Sequence, residues 1–251
     1  MATSIEISEQ AGVRYLHFGS HWIQGAMRIA RPHALELEYT RDMMLALLLR
    51  TGSRWPRRVL LIGLGAASLT KFLYRNRPRA SLVIVEIEPN VVSAARQFFK
   101  LPDDPKRVTI EIGDGHDYVA RPGRPFDLML VDGFDAKGRA GMLDMLPFYC
   151  NARARLSEQG VLVANLLTRT RGTTGSLNRI CEAFEGRARA LPPSTSGNTI
   201  VVAATGDPVD IALAALTARG RALKRDTGLN LLPTIAQLAN AHDGTGDRFE
   251  L

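Results

Sequence analysis

Residues 58–68 read Arg-Val-Leu-Leu-Ile-Gly-Leu-Gly-Ala-Ala-Ser. Val59–Ile62 is apolar without a break, which suits a strand covered on both faces. Gly63 and Gly65 follow, and "SLTKFLYRN" (68–76) has helical spacing. Strand, glycine loop and helix, in that order, form the nucleotide loop of an α/β fold. There glycine lets the backbone turn tightly and approach a ligand closely. Position 68, where a dinucleotide fingerprint takes Gly or Ala, is Ser68.

Downstream, "SLVIVEI" (81–87), "RVTIEIG" (107–113), "FDLMLVDG" (126–133), "GVLVANLL" (160–167) and "NTIVVAA" (198–204) read as further strands. Helical stretches alternate with them: 90–99 with Pro89 at its start, 142–156 with Pro147 bending or starting it, and 174–186. The last 45 residues read as helix, loop and helix, ending in a polar, frayed tail at 240–251. Alternation of this kind predicts an α/β fold: a doubly wound, mostly parallel sheet of the class I methyltransferase-like Rossmann type. Upstream, "SIEIS" (4–8), "VRYLHF" (13–18) and "HWIQGAMRI" (21–29) read as short strands of a small N-terminal β-hairpin extension, with Trp22 and Met27 packing it against the main domain. "LELEYTRDMMLALLLR" (35–50) reads as a helix. The expected domains are the β extension, 1–31, and a nucleoside-binding α/β domain, 32–251.

Four acids converge on the glycine loop. Glu86 ends the second strand, 21 residues after Gly65, where a carboxylate accepts hydrogen bonds from ribose hydroxyls. Asp114, followed by Gly115, ends the third strand, and Asp132 and Asp135 follow the fourth. Ligands of open α/β sheets sit beyond the carboxyl ends of the strands, so all four face one crevice. A nicotinamide dehydrogenase has no need of the third and fourth acids. An S-adenosyl ligand carries a sulfonium and an amine, and carboxylates complement both.

The bulk numbers narrow the alternatives. Net charge is +7 and the pI about 9.8, but the basic residues are spread along the chain. A solvated surface is expected, with no nucleic-acid partner. No apolar run approaches the ~20 residues of a membrane span, and the first residues have no signal-peptide character. Cys150 and Cys181 are the only cysteines, which fits a cytoplasmic location. His21, His33, His116 and His242 lack metal-ligand spacing, so no metal is expected.

Taken in order, "WIQ" (22–24), "EYT" (38–40), "VLLIGLG" (59–65), "VEIEP" (85–89), "GDGHDY" (113–118), "VDGFD" (131–135) and "LSEQGVLV" (156–163) resemble the spermidine synthase (polyamine aminopropyltransferase) family from about Gln24 to Leu167. The resemblance implies aminopropyl transfer from decarboxylated S-adenosylmethionine to a polyamine such as putrescine. It gives Gln24, Gly63, Gly65, Glu86, Asp114 and Gly115 to the nucleoside, with Asp114–Gly115 at the adenine. Asp132 stands for the catalytic acid that takes a proton from the attacking amine. Asp135 and Tyr39 belong to the amine site, although "YTRDM" is one residue longer than the family's Tyr-x-Glu-Met. A homodimer is also implied.

Three stretches depart from the family. Its loop reads Gly-Gly-Gly-Asp-Gly, and its Asp is Ala66 here; its Asp-Ser-Ser-Asp-Pro is Asp132-Gly133-Phe134-Asp135-Ala136; and the late Tyr and Trp are missing from "PPSTSGNT" (192–199). Two alternatives therefore stay open. One is an S-adenosylmethionine-dependent methyltransferase, with Arg28, Arg31 or Arg41 meeting the methionine carboxylate. The other is a non-catalytic nucleoside-binding protein.

Overall fold

The computed structural model describes residues 4–19, 22–52, 54–135, 138–167, 173–195, 197–240 and 247–251. Three strands come first: β1 (Ile5–Gln10), β2 (Val13–Phe18) and β3 (Ile23–Arg28), paired antiparallel in that order. The extension is thus a three-stranded antiparallel meander, one strand for each of the three stretches that read as strands. Helix α1 (Glu38–Met43) passes into a 3-10 turn over Met44–Leu48, where one continuous helix was expected. Every residue of that turn is buried. Without a polar face, packing rather than helical periodicity decides its conformation.

The main domain then alternates. Its elements are β4 (Arg58–Ile62), α2 (Ser68–Asn76), β5 (Ser81–Glu86), α3 (Pro89–Phe98), β6 (Val108–Ile112), α4 (Gly115–Ala120), β7 (Phe126–Val131), α5 (Leu146–Ala154), β8 (Leu156–Leu167), α6 (Thr174–Ala183), β9 (Ala188–Ala190) and β10 (Asn198–Ala204). The sheet runs β6-β5-β4-β7-β8-β10-β9. Pairings from β6 to β8 are parallel, and β10 runs antiparallel between β8 and β9. Pro147 stands in the first turn of α5, where its missing N–H costs nothing. Strand β9 has no sequence signal of its own: three residues, none fully buried, carry no legible alternation.

Period-two alternation divides the core. Val59, Leu61, Leu82, Ile84, Leu128, Leu130, Val161 and Val163 face one side, against α2, α3 and the Met43–Leu49 run. Leu60, Ile62, Val83, Val85, Met129, Val131, Leu162 and Ala164 face the other, against α4, α5 and α6. Each fully buried aliphatic side chain contributes roughly 1.5–3 kcal/mol. Both faces are therefore sealed, and the strands must read as unbroken apolar runs.

The chain closes with β11 (Asp210–Ala212), α7 (Leu213–Thr227), α8 (Leu232–Asn240) and β12 (Arg248–Glu250). The end of the chain corrects the expectation of a frayed tail. Strand β12 pairs antiparallel with β11, and Phe249 is fully buried in the core. One apolar side chain among polar neighbours anchors the segment. Residues 241–246 lie outside the described ones.

Candidate active site

Chain order reverses between β4 and β7, the switch point where an open α/β sheet leaves a crevice. Gly63 leaves β4 with φ +92. A Cβ there would collide with the Asp132 carbonyl, so glycine lets the ends of β4 and β7 meet. Gly65 and Ala67 also adopt positive φ, at 51 and 53, and turn the chain into α2. Met27 packs the N-terminal sheet onto this loop with Leu16, Ala66 and Phe99. A Cβ on Gly25 would sit 2.6 Å from that of Ala66. The Ser68 hydroxyl donates to the Ala26 carbonyl at 3.0 Å. This clasp carries Gln24 to the crevice.

Glu86 is buried at the end of β5. Its carboxylate accepts from the Leu64 N–H at 2.8 Å and the Glu88 N–H at 3.0 Å, so it ties the glycine loop to the second strand. Burial raises its pKa, while the amides of Glu88, Leu64 and Ile87 oppose the rise. Asp114 caps α4 and accepts from the His116 N–H at 2.8 Å. Gly115 lies where a Cβ would strike the Ile62 side chain.

Asp132 lies at the end of β7. Its Oδ2 accepts from the Tyr39 hydroxyl at 3.1 Å and its Oδ1 from Asn165 Nδ2 at 2.8 Å. Asn165 Oδ1 in turn accepts from Asn198 Nδ2 at 2.9 Å. Burial pushes the Asp132 carboxyl up, and the bonds from Asn165 and Tyr39 pull it back. Burial, then the negative charge of Asp132, raises the Tyr39 hydroxyl well above its ordinary value. Neither asparagine stands out in a sequence reading. The available signal was Asn165 itself, a polar residue within "VLVANLL".

A cavity of about 650 Å³ opens over this crevice. Gln24, Tyr39, Gly63, Gly65, Glu86, Asp114, Gly115, Asp132 and Asp135 all line it. Asp135 is already engaged: it accepts from the Arg139 N–H at 2.9 Å and from Arg139 Nε at 2.8 Å. Trp22, expected in the packing of the extension, is instead 49% exposed and lines the cavity. Arg28, Arg31 and Arg41 do not line it. Arg28 pairs with Glu36, and Arg41 donates to the carbonyls of Leu35 and Glu36. Among the described residues no cluster of potential metal ligands occurs, and no helix is long and apolar enough to cross a membrane. His21 and His242 lie outside the described residues.

A family model for the spermine/spermidine synthase domain matches residues 37–175, more than half of the chain. The chain belongs to this family. A polyamine aminopropyltransferase of Chromobacterium violaceum is 35% identical over 96% of this chain and 91% of its own length. A probable spermidine synthase of Corynebacterium glutamicum superposes with a TM-score of 0.72 at 19% identity, covering 90% of this chain and 91% of its own. Human methyltransferase-like protein 13, solved with SAH, gives 0.65 at 22% identity, covering 76% and 93%. Such distant likenesses show the fold alone, shared by aminopropyl- and methyltransferases. The spermine/spermidine synthase assignment rests on the family model and the 35% relative.

Proposed function

We propose that this protein transfers an aminopropyl group from decarboxylated S-adenosylmethionine to a small amine such as putrescine. It is an enzyme of the aminopropyltransferase type. The observation that carries the reading is the placement of Asp132, which faces the cavity beside the glycine loop and Glu86 with a donor on each oxygen. Gln24, Gly63, Gly65, Glu86, Asp114 and Gly115 hold the nucleoside. The acceptor amine attacks the methylene carbon bonded to the sulfonium. The N–C bond forms as the C–S bond breaks, and its electron pair returns to sulfur, leaving methylthioadenosine. Asp132 takes the N–H proton, and its raised pKa makes it a stronger base than an exposed aspartate. Tyr39 orients that carboxylate. Asp135 offers the distal ammonium a carboxylate, which it must share with Arg139.

We also propose a homodimer acting in the cytoplasm, with residues 1–31 forming a small unit beside the nucleoside-binding domain, 32–251. Ala66 favours a second reading, an S-adenosylmethionine methyltransferase. It stands where the family's loop has an aspartate, and here it packs against Gly25. The exclusion of Arg28, Arg31 and Arg41 from the cavity lining weighs against that reading. Chromatography of reactions with either cofactor and a panel of amines decides. Methylthioadenosine from the decarboxylated cofactor supports the proposal. S-adenosylhomocysteine from the intact cofactor replaces it with methyl transfer, and no product from either leaves a nucleoside-binding protein.

A further inference from the structure

We infer that Asn198, acting through Asn165, sets the direction of the hydrogen bonds reaching Asp132 and is a positioning residue for the proton acceptor. The inference rests on the proposed role of Asp132. A carboxamide has one end that donates and one that accepts. Asn165 offers its donor end to Asp132 only in one of its two flipped orientations. In the other, its carbonyl oxygen faces the carboxylate, an arrangement that is favourable only when Asp132 is protonated. A protonated Asp132 cannot accept a proton from the amine.

An ionised Asp132 favours the donor end, and among the described residues no neighbour within β8 fixes the amide of Asn165. It sits in β8 among apolar residues and is 5% exposed. The second constraint comes from β10, the antiparallel neighbour, whose first residue is Asn198, 7% exposed. Its Nδ2 donates to Asn165 Oδ1 at 2.9 Å, so a flipped Asn165 would set two donors against each other. Two backbone bonds to Ser194 hold Asn198 in place beside Asn165: its N–H donates to Ser194 Oγ at 3.2 Å, and its main-chain carbonyl accepts from the Ser194 N–H at 2.8 Å. The resulting chain of donors runs Asn198, Asn165, Asp132. Tyr39 completes it from α1 on the other carboxylate oxygen. The charged groups lining the same cavity are Glu38, Glu86, Asp114, Asp135 and Arg139.

The test replaces Asn198 by Leu, which keeps the shape and removes the donor, and by Thr, which supplies a hydroxyl donor. Two readouts are taken: the pH dependence of kcat at saturating decarboxylated cofactor, and the titration of the Asp132 carboxyl carbon by NMR, assigned with Asp132→Asn. In Asn198→Leu the acid limb and the carboxyl titration both move to higher pH. At neutral pH kcat falls roughly ten- to a hundredfold, while the KM for the donor changes less than about twofold. Asn198→Thr stays near the parent in both. Superimposable titrations for Asn198→Leu and the parent overturn the inference, and so does an equal shift in Asn198→Thr. If Asn198→Leu does not fold, the near-isosteric pair Asn198→Thr and Asn198→Val decides on the same criteria. A parent protein without turnover for any amine sinks the aminopropyltransferase reading instead. The NMR titration still tests the hydrogen-bond chain in that case.

Discussion

Asp132 receives a hydrogen bond on each oxygen yet titrates above an exposed aspartate, because desolvation outweighs both donors. The proposed proton transfer needs the anion. The rate should therefore fall as pH drops through a pKa above the ordinary aspartate value of 3.8, and the acid limb of kcat/KM should show it. Asp132→Asn should lower kcat by roughly 10²–10⁴-fold, since general base catalysis contributes about that much. Thermal shift by methylthioadenosine should survive, because Glu86 and the glycine loop are untouched. A variant that loses both would mean that Asp132 supports the loop rather than the chemistry. Arg139 gives a milder prediction. Its pairing with Asp135 at 2.7 Å is largely exposed, and such pairs are worth about 0–1 kcal/mol. Arg139→Ala should thus lower the acceptor KM by no more than about fivefold and leave kcat unchanged; a raised KM would show that Arg139 assists acceptor binding. The motifs at this scale were legible because strand ends and spacing place Glu86, Asp114 and Asp132 together. The Asn165–Asn198 contact was not, since it joins residues 33 apart across two strands.

Helix α2 carries the glycine loop on one end and Lys71 within it. Lys71 is fully buried, and its Nζ donates to the Phe99 carbonyl at 2.8 Å. Burial, helped by the charge of Lys100, lowers its pKa from 10.5 to about 7. Between those two values the unfolded chain binds a proton that the folded chain does not, so this residue makes stability rise with pH from about 7 to 10.5. Lys71→Met should remove that rise. Relative to the parent, its melting temperature should be highest near pH 7 and lose the advantage towards pH 10. A difference that does not vary with pH would show that Lys71 is charged in the fold. Gly63 sets the other limit on this element. Its positive φ and the crowding by the Asp132 carbonyl predict that Gly63→Val abolishes nucleoside binding measured by calorimetry. Elements with strict alternation or long apolar runs were readable from residue types alone. The 3-10 turn at Met44–Leu48 and the short β9 were not, because neighbouring elements decide their conformation.

At the scale of the molecule, the end of the chain is structural. Phe249 is fully buried on the face of the sheet that also takes α7 and α8. Phe249→Ala should cost about 3–5 kcal/mol in urea unfolding, as large-to-small core changes do. A loss below 1 kcal/mol would mean that the β11–β12 pair does not hold the core. Sequence by itself determined the doubly wound sheet, the glycine loop and the row of acids at the strand ends. These depend on local periodicity and on short spacings, which survive without knowledge of distant contacts. Tertiary structure alone decided three things: that β12 returns to the core, that Arg139 occupies Asp135, and that Asn198 reaches Asp132 through Asn165. The physical reason is common to all three. Hydrogen-bond direction and side-chain pairing are set where segments meet in space, and composition along the chain carries no record of which segments meet.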